Sequence, residues 1–450
     1  MQFPLSRLLT RATWLKVHLY LALSVGFLFA LIGLTGSLSV YRDSLDTLFN
    51  PELVVESPHG SYQSLDKIMA AVKAAHPDRS GSWTLELPSS ANGMITAWYE
   101  KPRETFFELY APLMVSVNPY TAEVVSNRFW GQTTLTWLLD LHTQLHLDRW
   151  GWNAVGCLGF LLAVSCLSGL YLWWPGLKGL RRSLLVRHQA GLMRFALDSH
   201  RLVGLLSLPA LLVLAVTGSL LSYPSLLEAI AGSSGMEHGQ TGRTLISTAK
   251  PNNHPTGLAA AVAVAQAPFP RAKLRRVTIP VGDTGIYRIN FRQANEINQR
   301  HPYTTVWLDR WSGQIREVRD PRQFSQGEVF ASWVWPLHTG EALGAWGRFC
   351  WFLAGLSVFV LYVSGLVRWL CRSGKMRDRR VNFAALRTWL ELAKTRLRQL
   401  WRSLSPFLQQ LAQQAKDYAP QLKIVLLKGG YGLYEQLFRL LKRQKRLGKD

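Results

Sequence analysis

The chain has 450 residues, 48% of them hydrophobic, and carries 51 Lys and Arg against 28 Asp and Glu, a formal net charge of +23. Four apolar runs reach the roughly 20 residues that cross a bilayer, which excludes a wholly soluble protein. Four cysteines without a CxxC pair exclude a disulfide framework, and positive charge gathered in loops and a tail suits anionic lipid rather than nucleic acid.

A cytoplasmic N-terminus over 1–16, with Arg7, Arg11 and Lys16, leads into a first predicted span over 17–41. That run exceeds the apolar part of a secretory leader and no small-residue cleavage site follows it, so it reads as a retained anchor. Residues 42–131 form a first external domain. Leu65, Ile68, Met69 and Val72 recur at helical spacing within 64–75, and strand-like runs follow at 82–87, 94–100 and 105–110. An interfacial element over 132–152 precedes the second span, 153–174. The loop 175–199 carries Lys178, Arg181, Arg182, Arg187 and Arg194.

The third span covers 200–223, and a second external domain covers 224–331. It begins with a segment rich in Gly, Ser, Thr and Asn, then repeats the earlier order: a helix over 257–266 and strands over 274–279, 286–291 and 304–308. Two turn segments also correspond, 118–123 and 309–314. A second interfacial element, 332–347, leads to the fourth span, 348–370. The tail 371–450 holds 19 Lys and Arg against 5 Asp and Glu, with a leucine stripe from Leu386 to Leu404. It reads as an amphipathic segment on the inner leaflet, or as a solvated extension. The positive-inside rule places both termini and the 175–199 loop in the cytoplasm.

Histidines repeat with this organisation. His18 lies 18 residues before Gly36 of Thr35-Gly36-Ser37, and His200 lies 18 residues before Gly218 of Thr217-Gly218-Ser219. Leu141-His142-Thr143 precedes Trp150-Gly151 and Ser168-Gly169-Leu170; Leu337-His338-Thr339 precedes Trp346-Gly347 and Ser364-Gly365-Leu366 at the same offsets. In a straight helix the first offset corresponds to about 27 Å, so His18 and His200 belong near the inner face and the Thr-Gly-Ser segments near the outer one. Imidazoles at equal height on two halves can hold a planar macrocycle and supply both axial nitrogens to its iron. His18 pairs with His200 on this reading, and His142 with His338. Gly26, Gly33 and Gly204 would give a flat ring room against the backbone.

His146, one turn from His142, has Ala342 as its counterpart and no support from the repeat, although it is a possible substitute ligand. The remaining histidines are expected at the surface. Tryptophans crowd the outer ends of the spans, as an interfacial belt requires. Among them Arg149, Trp150, Trp346 and Arg348 are candidates for docking an anionic or aromatic-rich substrate. No phosphate loop, dinucleotide fingerprint, HExxH or nucleophile elbow is present.

Over roughly residues 10–375 these features resemble the PepSY-associated transmembrane proteins, a family that includes iron-regulated inner-membrane ferrisiderophore reductases. The resemblance rests on the segment from Trp14 to His18, the Thr-Gly-Ser repeats, the Leu-His and Trp-Gly elements and Gly169-Leu-Tyr-Leu-Trp-Trp-Pro175. It implies four transmembrane helices, two small α+β PepSY-like extracytoplasmic domains and a pseudo-twofold internal repeat. It further implies two b-type hemes on His18, His200, His142 and His338. In function it implies an inner-membrane oxidoreductase passing electrons from a cytoplasmic or membrane donor to a periplasmic ferric siderophore. The alternative is a non-enzymatic, membrane-anchored PepSY module that binds a periplasmic protein or peptide.

Overall fold

The computed structural model describes residues 10–179, 183–187, 190–232, 245–249 and 254–379, together with 395, 396 and 399. The chain divides into one unit of residues 1–342 and 346–379 and another of 343–345 and 380–450. Nearly all of the basic tail, and the helical stripe expected in it, lies outside the described residues.

Among the described residues three helices are long and apolar enough to cross a membrane: Asp148–Trp173, Leu192–Ser222 and Glu341–Arg372. The bent pair α1 (Arg11–Ser24) and α2 (Gly26–Ser39), which meet at 63°, is apolar enough to cross only when taken together, and would make a fourth span. The single straight helix expected over 17–41 is therefore replaced by two, and the 27 Å rise of a continuous rod is not realised. The cause is local. Val25 leaves helical geometry, and Gly26 lets the Tyr362 ring approach so closely that a Cβ there would lie 2.8 Å from it. The third span, α7 (Leu192–Ser222), contains Pro209 yet remains one helix. With α6 (Asp148–Trp173) and α11 (Gly344–Arg372) these elements make a multi-pass membrane protein.

Small residues let the spans touch. Ser37 Oγ donates to the Phe352 carbonyl at 2.8 Å, and Gly33 faces the backbone of Gly355. The equivalent contact between the other two spans has Ser219 Oγ donating to the Gly156 carbonyl at 3.0 Å, beside Gly159 and Ala215. In lipid, where no hydrophobic drive separates helix from solvent, such close backbone approach and interhelical hydrogen bonding hold helices together. Two short helices follow the C-terminal ends of the first and third spans, α3 (Arg42–Phe49) and α8 (Pro224–Ala231).

Outside the spans the order helix, four strands occurs twice. The first set is α4 (Leu65–Ala75), β1 (Trp83–Glu86), β2 (Ile95–Tyr99), β3 (Leu113–Val117) and β4 (Val124–Phe129). The second is α9 (Leu258–Gln266), β5 (Lys273–Thr278), β6 (Ile286–Arg292), β7 (Thr305–Asp309) and β8 (Ile315–Arg319). The strand expected over 105–110 is instead a 3-10 turn, Arg103–Thr105, followed by a loop that leaves Phe107 96% exposed. Its aromatic-polar alternation mimics a strand, but the pairing partner of β2 is the apolar run after Pro112. The 118–123 and 309–314 segments are the β3–β4 and β7–β8 hairpin turns. Ala122 in the first takes the left-handed conformation that Gly313 supplies in the second, at φ of 65° and 68°.

The two sets are not separate modules. Strand β1 pairs antiparallel with β5, Leu85 opposite Val277, to give one eight-stranded sheet in the order β4-β3-β2-β1-β5-β6-β7-β8. Strand alternation sends Leu85, Ile95, Val115, Val277, Ile289 and Val306 to one face, all fully buried against α4 and α9 in a single core. Burial of each such side chain contributes about 1.5–3 kcal/mol. Asp66 of α4 accepts from the backbone N–H groups of Leu258 and Ala259 at 3.1 and 3.0 Å, capping α9 of the other set. Glu86 and Arg276, joined at 3.1 Å across the seam, occupy the opposite face.

Candidate functional site

The histidines that share no stretch of sequence meet in space. The His18 and His200 ring centroids are 6.3 Å apart with planes crossed at 89°; those of His142 and His338 are 6.2 Å apart with planes at 39°. His142 is carried by α5 (Thr134–Gln144) and His338 by α10 (Gln326–Thr339), the short helices before the second and fourth spans.

All four rings are seated the same way. His18 Nδ1 lies 3.1 Å from the Ser165 carbonyl and 3.1 Å from Ser168 Oγ. For His200 the partners are the Leu361 carbonyl and Ser364 Oγ, both at 3.0 Å. For His142 they are the Ile32 carbonyl at 2.9 Å and Thr35 Oγ1 at 3.4 Å. For His338 they are the Leu214 carbonyl and Thr217 Oγ1, the latter at 3.0 Å. In every case the carbonyl is four residues, and the hydroxyl one residue, before a glycine on which the ring edge rests: Gly169, Gly365, Gly36 and Gly218. The Ser-Gly and Thr-Gly pairs visible in the sequence are thus the seats of the histidines.

This seating fixes the tautomer. A backbone carbonyl only accepts, so Nδ1 must carry the proton, and Nε2 of each neutral ring keeps its lone pair. Histidines that bind metals are commonly held in this way, the second nitrogen donating to a carbonyl. Burial lowers the His142 imidazole below its ordinary value; burial and then the neighbouring His142 push His338 to about 3. Both outer rings are therefore neutral, as ligation requires.

Each pair lines a cavity. The one on the side expected to be inner, of about 540 Å³, is bounded by His18 and His200 and by Gly26, Gly169 and Gly204. The outer one, of about 270 Å³, is bounded by His142, His338, Gly33, Gly36 and Gly218. An imidazole nitrogen sits about 2 Å from a bound metal and the ring centre about 1 Å further, so one metal between two such nitrogens sets the centroids about 6 Å apart. Both pairs meet that spacing, and the glycines leave their flanks open. Among the described residues no group of three or more His, Cys, Asp or Glu side chains converges, so each cavity presents two imidazole donors rather than a chelating set. The family described as the PepSY-associated TM region matches residues 15–372.

The chain belongs to that family.

A comparison with curated proteins gives no match. Family membership accounts for the multi-pass architecture.

The other sequence candidates are scattered. The His146 ring packs on Trp137 at 4.7 Å, solvent-exposed and at a φ of 54°, apart from the outer pair. Arg149 is exposed and Trp150 is 84% exposed. Trp346 is half-exposed beside Phe349. Arg348 alone of the four docking candidates lines the outer cavity. His301, expected at the surface, is half-buried, 3.0 Å from Arg276 and 4.7 Å from the Trp335 ring. His188 and His238 lie outside the described residues.

Charged residues also line the outer cavity. Arg300 grips both Asp43 oxygens at 2.9 and 2.8 Å, and Arg42 lies over the Trp130 ring. Burial depresses the Arg42 guanidinium to about 10, with Arg300 adding repulsion. Burial would also lower Arg300, but the Asp43 and Glu86 carboxylates outweigh it and raise it. No repeat or motif marks these residues; they become a group only when α3 docks under the sheet.

Proposed function

We propose that the protein is a transmembrane electron carrier with two b-type hemes, one held by His18 and His200 and one by His142 and His338, that reduces a ferric siderophore outside the inner membrane. The supporting observation is the common seating of the four imidazoles, each with Nδ1 spent on a carbonyl and each paired across the two halves at 6.2–6.3 Å. No CxxCH motif occurs, so attachment is non-covalent. Bound heme supplies a reversible one-electron Fe(III)/Fe(II) couple, with its potential set by axial ligand and surroundings.

The chain's own part is positional. Ser168, Ser364, Thr35 and Thr217 lock ring orientation, and apolar linings such as Phe29, Leu162, Leu211 and Val358 keep water from both sites. The inner pair faces a cytoplasmic or membrane-borne one-electron donor, and the outer pair lies beneath the sheet on the periplasmic side. One electron per chelate converts its Fe(III) to Fe(II), which hard oxygen ligands hold less strongly. The charge pattern supports cytoplasmic termini, and the basic tail suits the anionic inner leaflet.

The purified protein is expected to be red, with two hemes per chain by pyridine hemochromogen assay. A colourless protein that takes up no heme on titration would refute the reading and leave the anchored binding module in its place.

A further inference from the structure

The histidines and their glycine seats obey the repeat, but the arginines of the inner cavity do not. By the offsets that relate the histidines, the counterpart of Arg201 is Leu19 and that of Arg368 is Leu172. Arg201 is adjacent in sequence to His200, and Arg368 lies one turn beyond Ser364, so both come from the second half. Both line the 540 Å³ cavity with His18 and His200, as does Arg11. Arg11 donates to the Leu172 carbonyl at 2.5 Å, while Arg201 lies within electrostatic reach of Arg11, and Arg368 of Arg201.

A guanidinium on a membrane-spanning helix is costly and ordinarily has a partner. Among the described residues no carboxylate forms an ion pair with Arg11, Arg201 or Arg368. Asp198, one turn from Arg201, attracts it from beyond ion-pair distance and is engaged at closer range by Arg194 at 3.1 Å and by Arg187 at 3.9 Å. An otherwise apolar cavity therefore has positive charge contributed by residues that the repeat does not supply to the opposite half.

We propose that Arg201 and Arg368, with Arg11, form a carboxylate-binding edge that grips the acidic side chains of the inner macrocycle and sets its orientation between His18 and His200. The assignment rests on the heme reading above. Two related imidazoles fix the plane of a ring but not its rotation within that plane; an unequal distribution of cations does. Arginine suits the task because its fork matches a carboxylate bidentately.

The test uses the full-length protein, freed of cofactor in detergent and titrated by absorbance with iron protoporphyrin IX or its dimethyl ester. The wild type is expected to bind the diacid more tightly than the ester at the inner site. Arg201→Gln together with Arg368→Gln should weaken the diacid about tenfold to a hundredfold, the worth of charge-assisted hydrogen bonds, and leave the ester unchanged. Arg201→Lys with Arg368→Lys should restore part of the preference. Unaltered filling of the outer site reports that the variants are folded. The proposal is overturned if the Gln variants bind the diacid as tightly as the wild type. It is equally overturned if they lose diacid and ester alike, which would assign the arginines to lipid headgroups or to packing. A wild type that binds neither compound at either site would overturn the heme reading itself, a result distinct from both.

Discussion

The four glycine seats are not equally tight, and this yields a graded test. A Cβ added at Gly36 would lie 2.7 Å from His142 Cε1, and one at Gly218 would lie 2.9 Å from His338 Cε1. At Gly169 the distance to His18 Cε1 is 3.2 Å, and at Gly365 the distance to His200 Cε1 is 3.5 Å. Carbon atoms settle at about 3.5–4.0 Å, so Gly36→Ala forces the His142 ring to retreat by at least about 0.8 Å, whereas Gly365→Ala demands almost nothing. The retreat acts on a ring held at 2.9 Å from the Ile32 carbonyl, and a shift of that size away from the carbonyl takes the bond beyond hydrogen-bonding range. Overpacking costs about 1–3 kcal/mol, which translates into roughly 5- to 150-fold weaker binding of whatever the outer pair holds. Heme content and reductive titration of the four alanine variants should therefore rank Gly36 worst, then Gly218, then Gly169, with Gly365 near wild type. The expected pattern is loss confined to the outer site in the first two. If Gly365→Ala strips a heme while Gly36→Ala retains both, the seating geometry is wrong.

His200→Ala should abolish the inner heme alone and His338→Ala the outer one alone, resolved by electron paramagnetic resonance because one pair is crossed and the other closer to parallel; loss of the same signal in both variants would disprove the pairing. Asp309 at the β7–β8 turn is buried, which by itself would raise its carboxyl, but the N–H groups of Ser312, Trp311 and Thr248 and the Arg316 guanidinium prevail and hold it well below the usual carboxylate range. Its folded pKa is depressed, so its stabilisation is complete above the unfolded value of about 4 and is withdrawn as pH falls below it. Asp309→Asn should accordingly flatten the acid limb of the melting temperature against pH, and an unchanged limb would show that other carboxylates dominate. Removal of residues 376–450 should leave the heme spectrum and reduction by dithionite intact, since no histidine lies there; loss of heme in a folded, inserted truncation would contradict this.

Sequence was informative where periodic burial or repetition left a mark. Hydropathy located three spans that are single helices and a first that is a bent pair, because an unbroken apolar run of roughly 20 residues matches the thickness of a bilayer and exceeds what a soluble core helix needs. The doubled offsets singled out His18, His142, His200 and His338 without reference to coordinates. What escaped were features set by non-local contact. The break at Val25 depends on Tyr362 pressing on Gly26 from another span. The seam between β1 and β5 depends on two strand edges far apart in the chain, and nothing in Trp83-Thr84-Leu85-Glu86 states which neighbour it will take. Arg42, Asp43 and Arg300 form a cluster only by tertiary docking, and the exposed Phe106-Phe107 loop carried a strand-like pattern for reasons unrelated to pairing.

The seam also bears on where such a molecule can come from. Antiparallel pairing is what a twofold axis generates when two like edges meet. Centred on Leu85 and Val277, that axis would relate Thr84 to Arg276 and Glu86 to Thr278. Two copies of the first half would thus face each other with Thr84 opposite Glu86 twice over. In the single chain the same four positions have become one Thr–Thr contact of 2.9 Å and one Glu–Arg pair of 3.1 Å. The joint has acquired complementary sides that neither half could offer to a copy of itself. A half-length chain would bear β1 as an open edge and a single histidine of each pair, and an open edge is a template for pairing with a second copy. A single polypeptide removes this choice of partner and lets the two halves differ, as they do where Arg201 and Arg368 answer to Leu19 and Leu172.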